Sequence, residues 1–220
     1  MDYRLNFDAV WRSFDLLLSG LGLGLGLAVI SIFLGSLIGL VAAFAMVSRN
    51  KVWRTIAVVY VTAIRNTPIL VLIFFTFFAL PQMGVRLGKV ESFVVTLTVY
   101  AGAYLTEVFR GGLAALPRGL REAGLAIGMT EWRTNLWVII PVMIRNVLPA
   151  LSNNFISLFK DTSLAAAIAV PELTFYARQI NVNSFRVIET WMVASLMYVV
   201  ACYVIAAGLR RVERKLAIPR

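Results

Sequence analysis

Polar side chains that could contact a solute occur inside apolar stretches of the chain, and the first group precedes a proline. Arg65, Asn66 and Thr67 stand immediately before Pro68. Because proline breaks or kinks a helix, backbone groups at this point become available to a ligand. The Arg65 guanidinium could pair with a carboxylate, while Asn66 and Thr67 could form hydrogen bonds. The alternative is a structural Arg65 that extends to the membrane surface or pairs with Glu107.

Glu107 itself lies in another apolar stretch, three residues before Arg110. Residues at this spacing are neighbours on a helix, so an ion pair at the membrane edge is a sufficient structural explanation. A charge inside a membrane span is costly unless it faces a cavity or a partner. A substrate role for Glu107 therefore stays open beside the structural one.

The sequence Lys160-Asp161-Thr162-Ser163 interrupts a later apolar stretch. Asn154, Ser157 and Asp161 fall at helical positions i, i+3 and i+7, so they form one polar stripe. Such a stripe in a membrane helix favours a water-filled path or a subunit interface. Asp161 could hold the ammonium group of a ligand or neutralise Lys160. The predicted path includes Asn154, Ser157, Asp161, Thr162 and Ser163.

The segment from about 111 to 141 is polar, helix-capable and longer than a turn between two spans requires. Residues around Glu122 favour a short helix, which we expect Gly128 to end in a left-handed conformation. Met129 or Thr130 could then begin a second helix. Small side chains allow another backbone to approach closely, so the segment predicts a docking surface; the alternative is an amphipathic helix on the bilayer. The predicted docking residues are Glu122, Ala123, Gly124, Gly128, Met129 and Thr130.

The composition indicates a membrane protein. Hydrophobic residues make up 60% of the chain and charged residues 15%, which a soluble domain would not tolerate. The formal net charge of +10 lies in short basic clusters between apolar stretches. This distribution is typical of a membrane protein and not of a nucleic-acid-binding face. The chain has no histidine and one cysteine, Cys202, which argues against histidine-based catalysis, zinc sites and internal disulfides.

The glycine-rich run from Gly20 to Gly26 lacks the lysine and serine of a phosphate-binding loop and enters a membrane span. We therefore predict no catalytic residue, no metal and no cofactor bound by this chain. On a helix, Gly22 and Gly26 share one face, as do Gly35 and Gly39, which predicts close helix packing at both pairs.

The apolar stretches predict an all-α membrane protein with five transmembrane helices. A short amphipathic helix around residues 7–14 precedes them at the membrane interface. Lysine and arginine concentrate on one side of this topology, so the N-terminus is predicted outside and the C-terminus in the cytoplasm, together with the 111–141 segment. The predicted spans are residues 16–48, about 55–80, about 92–109, about 146–170 and 190–209.

Four stretches of the chain resemble the motifs of a known family. Glu122-Ala123-Gly124, then Gly128, then Val138-Ile139-Ile140-Pro141 resembles the EAA motif of binding-protein-dependent ABC importer permeases. Gly124 stands where alanine is usual, and Val138 and Ile140 replace isoleucine and leucine, without a change in spacing. Three further stretches resemble signatures of the polar amino acid permeases, which include the histidine, glutamine, arginine and glutamate/aspartate systems: residues 65–71, 102–112 and 158–164.

The resemblance implies the type I ABC importer transmembrane fold, with residues 1–220 as one permease domain of the bacterial inner membrane. It implies a second permease subunit, identical or a close paralogue, and two cytoplasmic ATPase subunits that bind ATP and Mg. It also implies an extracytoplasmic binding protein that delivers the amino acid. The helix from Glu122 to Gly128 would be the coupling helix, seated in a groove of the ATPase, and transport would proceed by alternating access. Some members of this family hold the substrate in a pocket near the middle of the membrane. The resemblance implies that the corresponding positions in this chain include Arg65, Thr67, Glu107 and Asp161.

Two other function classes are the alternatives. An ion-coupled secondary transporter would use Glu107 or Asp161 as a proton or sodium relay, but five spans without an inverted repeat argue against it. A membrane structural or assembly subunit would leave amino acid uptake intact when Asp161 is replaced by asparagine.

Overall fold

The computed structural model describes residues 3–216, and the regular elements in that range are helical. Short π-helical turns lie at Phe75–Ala79 and Asn135–Ile139, and 3₁₀ turns lie at Leu80–Met83 and Thr162–Ile168. The α-helices are α1 (Asp8–Arg12), α2 (Phe14–Met46), α3 (Lys51–Arg65), α4 (Ile69–Phe74), α5 (Lys89–Ala114), α6 (Arg118–Ala126), α7 (Glu131–Thr134), α8 (Ile140–Asp161), α9 (Leu173–Ser184) and α10 (Val187–Leu216).

Among the described residues, four helices are long and apolar enough to cross a membrane, and a bent pair makes a fifth. The four are α2, α5, the continuous helix Glu131–Ile168 and α10. The fifth combines α3 with the helical segment Ile69–Met83, which meet at 101°. The predicted all-α fold with five spans is confirmed when the bent pair counts as one.

The fourth predicted span is part of a longer helix. It was placed from about residue 146, whereas the helix already begins at Glu131 and continues through α7, the π turn and α8. Pro141 lies in the first turn of α8, immediately after the π turn. A missing N–H is tolerated there, so the helix continues through it.

The break before α4 has a local cause that the sequence indicated. Pro68 has no N–H with which to continue the α3 hydrogen-bond ladder. The end of α3 is instead closed by side chains: the Asn66 amide donates to the Thr62 carbonyl (2.8 Å) and the Thr67 hydroxyl to the Ala63 carbonyl (2.8 Å). The helical direction therefore changes between Arg65 and Ile69, as the prediction of a kink at Pro68 required.

The centre of the bundle is the contact of α2 with α5. A Cβ atom on Gly35 would lie 2.7 Å from the Ala101 Cβ, and one on Gly39 would lie 3.0 Å from the Gly102 carbonyl. The two helices approach this closely because those positions carry no side chain. The prediction for Gly35 and Gly39 is therefore confirmed.

Within the described chain the same prediction is not met at Gly22 and Gly26, because a Cβ atom built on either glycine would have no atom of a neighbouring element within 4 Å. The glycines that pack closely against other elements are Gly20 and Gly24. Gly20 lies against the backbone of Glu172 and Leu173, and Gly24 lies 3.3 Å, measured from an ideal Cβ, from the Thr162 hydroxyl. Periodicity identifies which glycines share a face, but the neighbouring α9 and the Thr162 turn determine which face is covered.

Two smaller clusters fix the ends of the bundle. At one end, Phe109 of α5 packs with Met143, Val147 and Leu151 of α8. At the other end, Val10 of α1 is fully buried with Leu17 of α2 and with α9 residues. The predicted short N-terminal helix is therefore present, but part of its apolar side packs on protein and does not face the bilayer, while Trp11 stays 59% exposed.

Candidate functional site

The 111–141 segment contains a helix whose end is closed as the sequence predicted. Helix α6 runs Arg118–Ala126, and Gly128 has a φ of +84°, the left-handed region that glycine adopts without strain. The Gly128 amide donates to the Leu125 carbonyl (3.0 Å) and the Met129 amide to the Gly124 carbonyl (3.1 Å). This pair of bonds is a Schellman motif. The Thr130 hydroxyl then caps α7 by accepting from the Arg133 amide (3.3 Å).

Helix α6 is attached firmly to the start of the fourth span. Gly124 is buried against Thr134, and a Cβ on Gly124 would lie 2.7 Å from Thr134 Cγ2. The Arg121 guanidinium donates to Asn135 Oδ1 (2.9 Å) and lies 4.0 Å from the Glu131 carboxylate. Because α7 continues into α8, a displacement of α6 is passed to a membrane-spanning helix.

The position of Gly124 corrects one interpretation of the sequence. The small residues of α6 were all read as an exposed surface for a partner, but Gly124 faces inward and is small because Thr134 is close. The exposed surface is made by the other residues of the turn. Glu122, Ala123 and Ala126 are exposed, and Ile127 is 79% exposed at the tip. Leu125 and Trp132 of the same segment are also exposed, and several exposed large apolar side chains in one segment favour contact with another molecule.

A second group of polar residues lies where α3 ends beside α5 and α8. The Arg65 guanidinium lies 5.1 Å from the centroid of the Tyr104 ring, a cation–π contact. The Tyr104 ring is 4.6 Å from that of Tyr100, one turn earlier on α5. A guanidinium and two phenols are thus brought together from α3 and α5.

Glu107 does not pair with Arg65 but with Arg110, on its own helix. Its carboxylate accepts from Arg110 at 2.6 Å, the i, i+3 pair that the sequence predicted. The alternative pairing of Arg65 with Glu107 is not formed, because Arg65 lies on the Tyr104 ring instead. Glu107 keeps partial exposure, with 24% of its side chain accessible.

The polar residues predicted to form one stripe on α8 differ in exposure. Ser157 is exposed and Asp161 is half-buried, so both are open to one side of the helix. Thr162 is fully buried, and its hydroxyl donates to the Phe159 carbonyl (2.7 Å). Its contact with Gly24 favours a packing role for Thr162. The Asn154 amide donates to the Ala150 carbonyl (2.8 Å), and Ser163 is half-buried.

Sequence reasoning missed Tyr100, Tyr104 and Thr134. The two tyrosines stand at i and i+4 on α5, which places them on one face, but aromatic residues are common in membrane helices and gave no separate signal. Thr134 becomes important only through its contact with Gly124. Within residues 3–216, no three carboxylate or thiol side chains come together as metal ligands.

Comparisons with known proteins agree with this arrangement. A family profile described as "Binding-protein-dependent transport system inner membrane component" matches residues 31–218. The glutamine transport system permease protein of Escherichia coli (strain K12) is 36% identical over 98% of this chain and 99% of its own length. The L-cystine transport system permease protein of Bacillus subtilis (strain 168) is 36% identical over 96% and 91%.

Solved structures show the same fold. The crystal structure of an amino acid ABC transporter with histidines superposes with a TM-score of 0.87 at 30% identity, over 97% of this chain and all of that chain. The inward-facing MetNI methionine ABC transporter gives a TM-score of 0.81 over 94% of this chain, a likeness of fold at 23% identity. Since the family profile spans most of the chain and these permeases are matched over nearly their whole lengths, the chain belongs to the binding-protein-dependent transport system inner membrane components, the membrane permease subunits of ABC importers.

Proposed function

We propose that this chain forms one half of the pore of an ABC importer for polar amino acids. A second copy or a close paralogue would form the other half, two ATPase subunits would bind ATP and Mg in the cytoplasm, and a binding protein would deliver the solute outside. The relatives named for glutamine and L-cystine support an amino acid as cargo. Family membership favours this function over the ion-coupled secondary transporter and the assembly subunit.

The observation that carries the proposal is the construction of α6. Its base is fixed by the Gly124–Thr134 contact and by Arg121, while its tip exposes Ile127 beside Glu122. A helix that is rigid at its base and apolar at its tip suits a groove on a partner protein. In this proposal, closure of the ATPase pair on ATP draws the two α6 helices together and opens the pore outward, and hydrolysis returns it to the inward-facing state.

The proposed orientation places α6 and the C-terminus in the cytoplasm and the N-terminus outside. The turn between α2 and α3 and the last turns of α10 carry exposed cations on the same side as α6. Positive residues accumulate on the cytoplasmic side of membrane proteins. The N-terminal segment, α9 and the turn before α5 then lie on the outer side.

The cargo path proposed here runs past Arg65, Tyr104, Tyr100 and Asp161. Considered separately, Arg65 suits a carboxylate and Asp161 an ammonium group. Together the two charges would suit the zwitterionic backbone that every amino acid shares, with the Arg65 guanidinium held on the Tyr104 ring. Asn66, Thr67, Glu107, Asn154, Ser157 and Ser163 remain predicted path residues around this centre, with no cofactor bound by this chain.

The decisive experiment replaces Glu122 by lysine in the assembled transporter. Glu122→Lys reverses a charge on the exposed face of α6, so we expect uptake of labelled amino acid to fall to background and co-purification of the ATPase to weaken. The control is Glu91→Lys, the same charge change on an exposed residue in the first turn of α5, far from α6 in the chain. Normal uptake in Glu122→Lys, or an equal loss of ATPase co-purification in both variants, would remove α6 from the coupling role.

A further inference from the structure

A cavity of about 590 Å³ lies where the beginning of α5 meets α9, at the end of the bundle that the proposed orientation places outside. We call this space the outer cavity. The apolar part of its lining combines three aromatic rings with small side chains: Phe77, Phe78, Phe175, Ala166, Ala167 and Ala169. Because the alanines occupy little volume, the space beside the rings stays open.

Two cations line the outer cavity, whereas none of the acidic residues within 3–216 does. The Lys89 ammonium donates to the Ala169 carbonyl (2.7 Å), which fixes its position at the cavity. An ammonium has three N–H donors, so this bond leaves two for a ligand. The Arg178 guanidinium is exposed, and neither cation takes part in an ion pair with the described part of the chain. Both therefore present an uncompensated positive charge to the cavity.

Two amide side chains complete the polar part of the lining. Gln179 and Asn183 stand one turn apart on α9, and both are exposed and line the same cavity. Their NH₂ groups donate hydrogen bonds, and their oxygens accept them. N–H donors together with two positive charges suit a carboxylate, while the amide oxygens can accept from an ammonium group.

The outer cavity adjoins the helix that carries Asp161. This helix continues from Asp161 through the turn Thr162–Ile168, so that Ala166 at the cavity is the fifth residue after Asp161. At about 2 Å per residue in a 3₁₀ turn, the two positions are about 10 Å apart along the helix. In the proposed orientation, a solute that enters from outside therefore reaches the outer cavity before it reaches Asp161.

We propose that the outer cavity is an entry site, in which Lys89 and Arg178 bind the α-carboxylate of an amino acid before it passes to Asp161; this inference rests on the proposed function. The aromatic rings would contact the carbon chain of the solute. Charge sorting does not account for the two cations, because lysine and arginine accumulate on the cytoplasmic side. An acidic side chain of the binding protein offers the same chemistry, but the volume of about 590 Å³ is that of a small-molecule site.

The test measures how fast a cysteine at the outer cavity is modified in the assembled transporter in nanodiscs, both nucleotide-free and with ATP. Cys202→Ser removes the native thiol, and Ala167→Cys then places one thiol at the cavity. Adding Lys89→Gln/Arg178→Gln should slow the reaction with an anionic methanethiosulfonate about tenfold, because two attractive unit charges are lost. The matched control is Leu5→Cys, an exposed position outside the cavity, which should react at the same rate with and without the two substitutions.

Protection by a solute identifies the ligand. Added L-glutamine should slow the modification of Ala167→Cys, whereas L-glutaminamide, which lacks the α-carboxylate, should not, and Lys89→Gln/Arg178→Gln should abolish the protection. Absence of protection by L-glutamine in both nucleotide states would overturn the site. So would protection by the amino acid-free binding protein without protection by L-glutamine, because the cations would then hold the partner. Neither readout uses uptake or ATPase co-purification, by which Glu122→Lys tests the proposed function.

Discussion

Gly124 and Thr134 meet so closely that a single methyl group does not fit between them. A Cβ atom at position 124 would lie 2.7 Å from Cγ2 and 3.0 Å from Oγ1 of Thr134. The Thr134 hydroxyl is also buried without a hydrogen-bond partner among the described residues. The position of α6 on the fourth span therefore depends on this close contact as well as on the Arg121–Asn135 hydrogen bond, and the Thr134 hydroxyl adds no hydrogen bond to it.

Because of this contact, we expect the effects of substitutions at Gly124 and Thr134 to depend on each other. Gly124→Ala should shift α6 and lower the free energy of unfolding by about 1–3 kcal/mol, with a parallel loss of uptake, because the added methyl overlaps Thr134. Thr134→Ala removes both overlapping atoms and a buried unpaired hydroxyl, so alone it should be close to neutral. Thermal melting and uptake of the double variant measure the coupling. Full additivity of the two single effects would show that the residues act independently.

The glycines of α2 provide a second matched pair. Gly35→Val should lower the melting temperature and the amount of inserted protein, since its side chain would overlap Ala101 and the Thr98 carbonyl on α5; we expect a cost of about 1–3 kcal/mol. Gly26→Val introduces the same side chain on an open face and should change stability by less than about 0.5 kcal/mol. The measurement is the melting temperature of both purified variants. Equal destabilisation would contradict the assignment of Gly35 to the packed face of α2 and of Gly26 to its open face.

Asp161 tests the cargo path. Asp161→Asn removes the carboxylate proposed to receive the ammonium group while keeping the size of the side chain, so kcat/KM for uptake should fall about tenfold. Association with the ATPase should be unchanged, because α6 is not altered. Asp15→Asn, an exposed residue in the first turn of α2, is the control and should transport normally. Wild-type uptake in Asp161→Asn would support the assembly-subunit class.

Glu172 predicts a pH dependence of stability. It caps α9 by accepting from the Thr174 (2.9 Å) and Phe175 (2.8 Å) amides, and burial raises the pKa of its carboxyl above the ordinary 4.5. A raised pKa in the folded state means that the fold binds this proton more tightly than the unfolded chain does. The resulting stability is present at acidic pH and is lost as the pH rises from 4.5 through the raised pKa.

The measurement is the melting temperature as a function of pH. In Glu172→Gln the side chain keeps an acceptor for the α9 amides but no longer ionises, so its melting temperature should change less across that window than that of the wild type. Glu131→Gln removes an exposed carboxyl, 70% accessible, and should keep the wild-type profile. A Glu172→Gln profile that follows the wild type would show that another group titrates.

Local features of the fold were predictable because their causes lie within a few residues. Gly128 ends α6 in the left-handed region, Thr130 caps α7, and Pro68 breaks the second span. Each depends on a backbone conformation or a missing N–H that the residue type itself dictates. The Glu107–Arg110 pair was predictable for the same reason, since helical spacing alone brings the two side chains together.

The sequence by itself therefore determined the five apolar spans, the break at Pro68, the end of α6 at Gly128 and the family. Only the tertiary structure decided that Gly20 and Gly24 pack while Gly22 and Gly26 do not, that Gly124 faces inward, and that Arg65 lies on Tyr104 and not beside Glu107. The reason is geometric. Periodicity fixes which residues share a face of a helix, but the crossing of helices far apart in the chain fixes what that face meets.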